Sequence, residues 1–126
     1  MSNHEVLIVD PEQDEVQRIT DYLKDLGYSA LWAKDLPDAE AVLRSRPVAA
    51  IICDHSLPSG KGTDLLRSVR ETEKTKNLPV LMMTSVASTK VVHEAREFGV
   101  SDFILKPLDV QRLRKVLAQF VSKNHV

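Results

Sequence analysis

Four residues able to do chemistry each stand at the end of a short apolar run. Residues 6–9 lead to Asp10, 48–53 to Asp54, 80–83 to Thr84 and 103–105 to Lys106, with Pro107 next. Apolar runs of this length bounded by turn signals read as buried strands of a parallel sheet. The carboxyl ends of such strands form the ligand crevice. Two carboxylates, a hydroxyl and an ammonium are therefore expected at one sheet edge. Asp10 and Asp54 on neighbouring strands would repel each other, and a hard cation such as Mg²⁺ relieves that repulsion. A hydroxyl and a cation beside a metal suit a phosphoryl group, and an Asp carboxylate can itself attack phosphorus. Any one of the four could be an ordinary polar strand end; their coincidence at one edge argues for a site. No helix follows Asp54 directly, which argues against a capping role. Pro58, Gly60 and Gly62 in the loop after it suggest a fixed turn with backbone close to a ligand.

Strand and helix patterns alternate five times. Strands are expected over 5–9, 28–33, 48–53, 78–83 and 102–105, the second less apolar and nearer an edge. Val16, Ile19, Leu23 and Leu26 recur at helical spacing, and Gly27 suits the helix end. Pro37 suits a first helical turn, Pro47 stops that helix, and Ser88 or Thr89 and Asp109 can cap the last two helices. Five such pairs imply a doubly wound parallel sheet covered on both faces. With 126 residues, an eight-fold barrel is excluded and one domain spanning 1–126 is expected.

A net charge of −1 gives no field that would draw the chain to nucleic acid or to a membrane surface. No apolar stretch reaches the roughly 20 residues of a membrane span. Cys53 is the single cysteine, so no internal disulfide forms, and the expected setting is a reducing cytoplasm. By strand alternation Cys53 points away from Asp54 into the core. His55 reads as a strand-end side chain on the opposite face, and Trp32 as packing under a helix. His4, His93 and His125 are too scattered for a metal site. The turn 10–13 has no glycine to cradle a phosphate, which weighs against a nucleotide binder.

The sequence resembles the receiver domains of two-component response regulators over nearly its whole length. Val6-Leu7-Ile8-Val9-Asp10, the Asp54–Gly62 loop, Met83-Thr84-Ser85 and Gly99–Pro107 match the motifs of that family in order and spacing. The resemblance implies an α/β, flavodoxin-like fold with a five-stranded parallel sheet in the order 2-1-3-4-5. It implies a phosphorelay signalling protein rather than a metabolic enzyme. Asp54 is then the phosphoacceptor, supplied by a histidine kinase or phosphotransfer protein, with Lys106 and Thr84 contacting the phosphoryl oxygens. Mg²⁺ would be held by Asp10, Asp54 and the Ser56 carbonyl. Thr84 and Phe103 would form the switch, read by a downstream protein, an output domain or a second copy on the face of the fourth helix, fifth strand and fifth helix. The pattern is broken at one place. Pro11 stands where the family usually has a second acid, so Mg²⁺ is expected to bind more weakly than in a typical receiver. Glu12 could reach in instead, although a first-turn helix acid is its plainer reading. The alternative is a pseudo-receiver that binds partners without phosphorylation because Pro11 has spoiled the metal site.

Overall fold

The computed structural model describes residues 4–86 and 88–121. His125 and the chain end 122–126 lie outside them. The elements run β1 (Glu5–Val9), α1 (Gln13–Asp25), β2 (Ser29–Ala33), α2 (Leu36–Ser45), β3 (Ala50–Asp54), β4 (Ser56–Leu57), β5 (Gly60–Lys61), α3 (Gly62–Glu71), β6 (Val80–Thr84), α4 (Thr89–Glu97), β7 (Asp102–Leu105) and α5 (Val110–Phe120). Five strands form one sheet in the order β2-β1-β3-β6-β7, all parallel. Counting only these five strands, that is 2-1-3-4-5. The antiparallel β4–β5 pair is a separate small hairpin, which the sequence pattern does not show.

Strand alternation splits the core into two layers. Val6, Ile8, Ala50, Ile52, Leu81, Met83 and Ile104 pack against α1 and α5 through Val16, Ile19, Leu23, Leu113, Val116 and Leu117. Leu7, Val9, Ile51, Cys53, Val80 and Met82 pack on the opposite face against Ala39 of α2 and Leu65, Leu66 and Val69 of α3. Because both faces are covered, the central strands β3 and β6 are apolar up to their last residue, which is why they read as continuous runs. Each fully buried Leu or Ile contributes roughly 1.5–3 kcal/mol by leaving water. The only polar side chains buried with them are Asp10, Asp54, Thr63 and Thr84 among the described residues. Three of those four lie at the carboxyl ends of strands.

Local chemistry sets the element ends. Ser88 accepts the Val91 amide and Asp109 the Gln111 amide, capping α4 and α5. Gly27 and Gly99 adopt φ of 91° and 87° just beyond α1 and α4, a conformation that costs glycine nothing. Strands β3 and β6 start two residues later than the expected strands 48–53 and 78–83 and include the polar residue at each run's end. In both, pairing rather than hydrophobicity marks the end: Asp54 pairs with Met83, and Thr84 with Leu105.

Candidate functional site

Backbone hydrogen bonds hold the carboxyl ends of the strands in place before any side chain acts. The Asp10 amide donates to Ala33 O at 3.0 Å, the His55 amide to Met83 O at 2.8 Å and the Lys106 amide to Thr84 O at 2.7 Å. On that frame the Lys106 ammonium sits between two carboxylates, 3.3 Å from Asp10 Oδ2 and 3.2 Å from Asp54 Oδ2. The other Asp10 oxygen accepts the Glu12 amide at 2.8 Å. Asp10 is fully buried, whereas Asp54 retains 8% exposure and so stays open to an incoming reactant. Thr84 is buried at the neighbouring strand end. Its hydroxyl donates to Val86 O at 3.0 Å and accepts the Val86 amide at 3.2 Å, closing a tight turn on itself. Contact with a phosphoryl oxygen would require the Thr84 hydroxyl to give up its bond to Val86 O.

Burial holds the Asp10 carboxyl above the usual carboxylate range, and the nearby Asp54 charge adds to this. The Glu12 amide and Lys106 oppose the shift without cancelling it. Burial alone would lower the Lys106 pKa, but the two carboxylates outweigh it and raise it. Relative to the unfolded chain, the fold therefore disfavours the charged form of Asp10. The stability this group contributes is fully present below its ordinary value of 3.8 and is lost as pH rises through the raised value. We expect Asp10→Asn to be more stable than the parent at neutral pH without divalent cation, and the difference to vanish at acid pH. Urea midpoints of the two proteins across that window check this; a constant difference would contradict it.

The remaining predicted residues are placed less uniformly. Ser56 opens β4 immediately beyond Asp54 and His55. Glu12 is exposed at the N-cap of α1, and its contact with the site is through its amide rather than its carboxylate. Among the described residues no set of three or more His, Cys, Asp or Glu is gathered to hold a metal ion, so the acids at this edge number two. Phe103 is half-buried and packs on the α2–α3 layer. Cys53 is buried in that layer, and burial pushes its thiol pKa up, leaving an unreactive apolar group. His4 lies edge-on to Tyr28 and His93 is exposed beside Glu97, well apart in the fold.

Two expectations need correction. Trp32 does not lie under a helix. It is 37% exposed, carries Lys34 over its ring, and donates its indole N–H to Asp10 O at 2.8 Å. The close approach at Gly62 is not to a ligand either. A Cβ there would overlap the Asp54 carbonyl oxygen and lie 2.7 Å from Met82 Sδ. The Gly62 amide also donates to His55 O at 2.7 Å, fastening the start of α3 beneath the end of β3. Gly62→Ala is expected to cost about 2 kcal/mol or more in chemical unfolding, because backbone rather than a flexible side chain blocks the methyl.

The sequence and the fold both match known proteins. The sequence model of the response regulator receiver domain matches residues 6–118. The chain belongs to the response regulator receiver domain family. It is 34% identical over 119 residues to the chemotaxis protein CheY of Pseudomonas aeruginosa, covering 94% of this chain and 96% of that one. It superposes on a CheY4 structure from Vibrio cholerae with a TM-score of 0.86 at 28% identity, covering 94% of this chain and 99% of the other. A putative response regulator from Chloroflexus aurantiacus gives 0.90 at 28% identity, over 96% of this chain and 99% of its own. This receiver is a two-component signalling domain with the flavodoxin-like sheet, and not a metabolic enzyme. Among its described residues no helix is long and apolar enough to cross a membrane.

Receiver domains generally bind Mg²⁺, and the residues here are compatible with it. Asp10 and Asp54 are hard oxygen donors, and a buried carboxyl whose charge is poorly satisfied gains from a cation. Two side-chain anions rather than three, with Lys106 already between them, make a smaller donor set.

Proposed function

We propose that this receiver accepts a phosphoryl group on Asp54 from a phosphohistidine of a histidine kinase or phosphotransfer protein, with weakly bound Mg²⁺. The observation that carries this reading is the ammonium of Lys106 spanning Asp10 and Asp54, of which Asp54 is the partly open one. An Asp54 oxygen attacks phosphorus in line, the N–P bond breaks, and its electron pair returns to the imidazole nitrogen. Lys106 then exchanges its contact with the Asp54 oxygen for one with a phosphoryl oxygen, keeping the added charge paired. Bound between Asp10, Asp54 and the Ser56 carbonyl, Mg²⁺ would neutralise charge on the phosphoryl oxygens.

The Thr84 hydroxyl leaves Val86 O to meet the phosphoryl group, which releases the 84–86 turn and lets Phe103 move inward. This two-state change is local in origin and is read on the α4–β7–α5 face. Leu105 of β7 is an exposed large apolar side chain there, and Val86 is exposed in the turn that leads into α4. A downstream protein, an output domain or a second copy would dock on that face, in a cytoplasmic setting.

Beryllofluoride, which mimics an acyl phosphate, tests the reading. With Mg²⁺ present, amide resonances of Asp54, Thr84, Val86 and Lys106 are expected to shift together and those of α4 to follow. An unchanged spectrum at tens of millimolar Mg²⁺ would favour the pseudo-receiver instead.

A further inference from the structure

We infer that the corner between β2 and α2, residues 32–36, is a brace that fixes the spacing of the two walls of the site, with Trp32 and Asp35 as its positioning residues. The inference rests on the cation-assisted reading above. One wall is the turn after β1, which presents Asp10. The other is the β4–β5 hairpin, which begins at Ser56. Pairing of β1 with β3 sets the strands themselves, and Leu57 seats the start of the hairpin in the core, but the Ser59–Gly60 end of the hairpin and the carbonyl of Asp10 lie beyond that pairing.

The corner grips both. On one side Trp32 Nε1 donates to Asp10 O at 2.8 Å while Ala33 O accepts the Asp10 amide at 3.0 Å. Both backbone polar groups of Asp10 are thus held by β2 and its side chain. On the other side Asp35 Oδ1 accepts the Ser59 amide at 3.1 Å and the Ser59 hydroxyl at 2.9 Å. Burial would raise the Asp35 pKa, but the Leu36 amide and the two Ser59 donors outweigh it, so the carboxylate is held below its usual range and stays charged. Leu36 completes the contact: its Cδ1 lies 3.0 Å from where a Cβ on Gly60 would stand.

Pro11 makes the brace consequential. With no acid at that position, cation binding depends on how well the few remaining oxygens are placed. Small losses of placement are costly in a site with few ligands. The indole N–H is the one donor in the described structure that reaches the Asp10 carbonyl, and the Asp35 carboxylate is the one side chain shown to bond Ser59.

The competing possibility is that these contacts only add stability, and the test separates the two. Trp32→Phe keeps an aromatic body and drops the donor; Asp35→Ala removes the oxygen that accepts both Ser59 donors. Arg46→Ala is the control, because Arg46 pairs with Glu5 at 2.8 Å, at the opposite end of the sheet. The full chain is titrated with Mg²⁺ by calorimetry, and amide hydrogen exchange is followed without metal. Losing the one indole bond in Trp32→Phe, or the two Ser59 bonds in Asp35→Ala, should raise half-saturating Mg²⁺ about fivefold or more. Exchange should quicken at the Glu12 amide in Trp32→Phe and at the Ser59 amide in Asp35→Ala. Arg46→Ala should change neither. Brace variants that lose stability yet keep the parent's half-saturation would overturn the inference. A parent chain that binds no Mg²⁺ would overturn it together with the reading beneath it.

Discussion

Pro11→Asp is expected to tighten Mg²⁺ binding about tenfold or more and to lower stability in the absence of metal. Both effects come from one added charge. Asp10 is already a buried carboxyl held above the usual range, with Asp54 beside it and only Lys106 to balance the two. A third carboxylate one residue on would have no second ammonium to meet, so the metal-free fold should lose about 1–2 kcal/mol. The same charge becomes a ligand once a hard cation enters, and affinity in such sites follows ligand charge. The two outcomes should therefore cross: the variant unfolds at lower urea than the parent without Mg²⁺, and at equal or higher urea with it. The indole of Trp32, the single tryptophan, bonds the Asp10 carbonyl and so reports the titration directly. Equal Mg²⁺ affinities in parent and variant would show that Pro11 is not what limits the site.

Asp54→Asn should abolish phosphoryl transfer from acetyl phosphate while leaving the fold intact. The amide keeps the size and one acceptor of the carboxylate, so the Lys106 contact survives in weakened form. It lacks the anionic oxygen that attacks phosphorus, and no other acid at this edge can substitute. Asp10 is fully buried, with one oxygen on the Glu12 amide and the other on Lys106. Loss of an attacking group typically removes several orders of magnitude in rate. The variant should show the parent's amide spectrum away from the site and no phosphorylated species within the lifetime of the reagent. Residual labelling at the parent's rate would reassign the acceptor.

The strand ends were legible in the sequence because a parallel sheet covered on both faces demands unbroken apolar runs, so any polar residue at a run's end stands out. Asp10, Asp54, Thr84 and Lys106 were all found that way, and Lys106 does bridge the two acids. Caps at Ser88 and Asp109 and the turn at Gly27 were legible for equally local reasons. What escaped were contacts between residues distant in sequence. Trp32 reaches Asp10 across 22 residues and Asp35 reaches Ser59 across 24. Each depends on a side-chain orientation that periodicity does not encode. The β4–β5 hairpin, two residues to a strand, is too short to show an alternation. Gly62 was visible as a special position, but only packing shows that it makes room for the Asp54 carbonyl rather than for a ligand. The sequence shows Thr84 as a hydroxyl donor; only the structure shows that its bond to Val86 makes its engagement an exchange of partners.

On the proposed reading, that exchange would set the threshold of the switch. The hydroxyl leaves one acceptor for another, so the net gain comes from the charge on the phosphoryl oxygen, roughly 1.5–3 kcal/mol for a charged partner against about 1 for a neutral one. A difference of this size biases a two-state equilibrium by about tenfold without locking it. The receiver is thus expected to respond in a graded way.

Direct chemical trapping of the modified residue tests the central claim most sharply. The chain is incubated with acetyl phosphate and Mg²⁺, reduced with borohydride, digested and sequenced by mass spectrometry. An acyl phosphate on aspartate is reduced to homoserine, which marks the acceptor permanently. The account predicts homoserine at position 54 and nowhere else, with its yield rising as Mg²⁺ is raised. Homoserine at another acid, or none at saturating Mg²⁺, would contradict it.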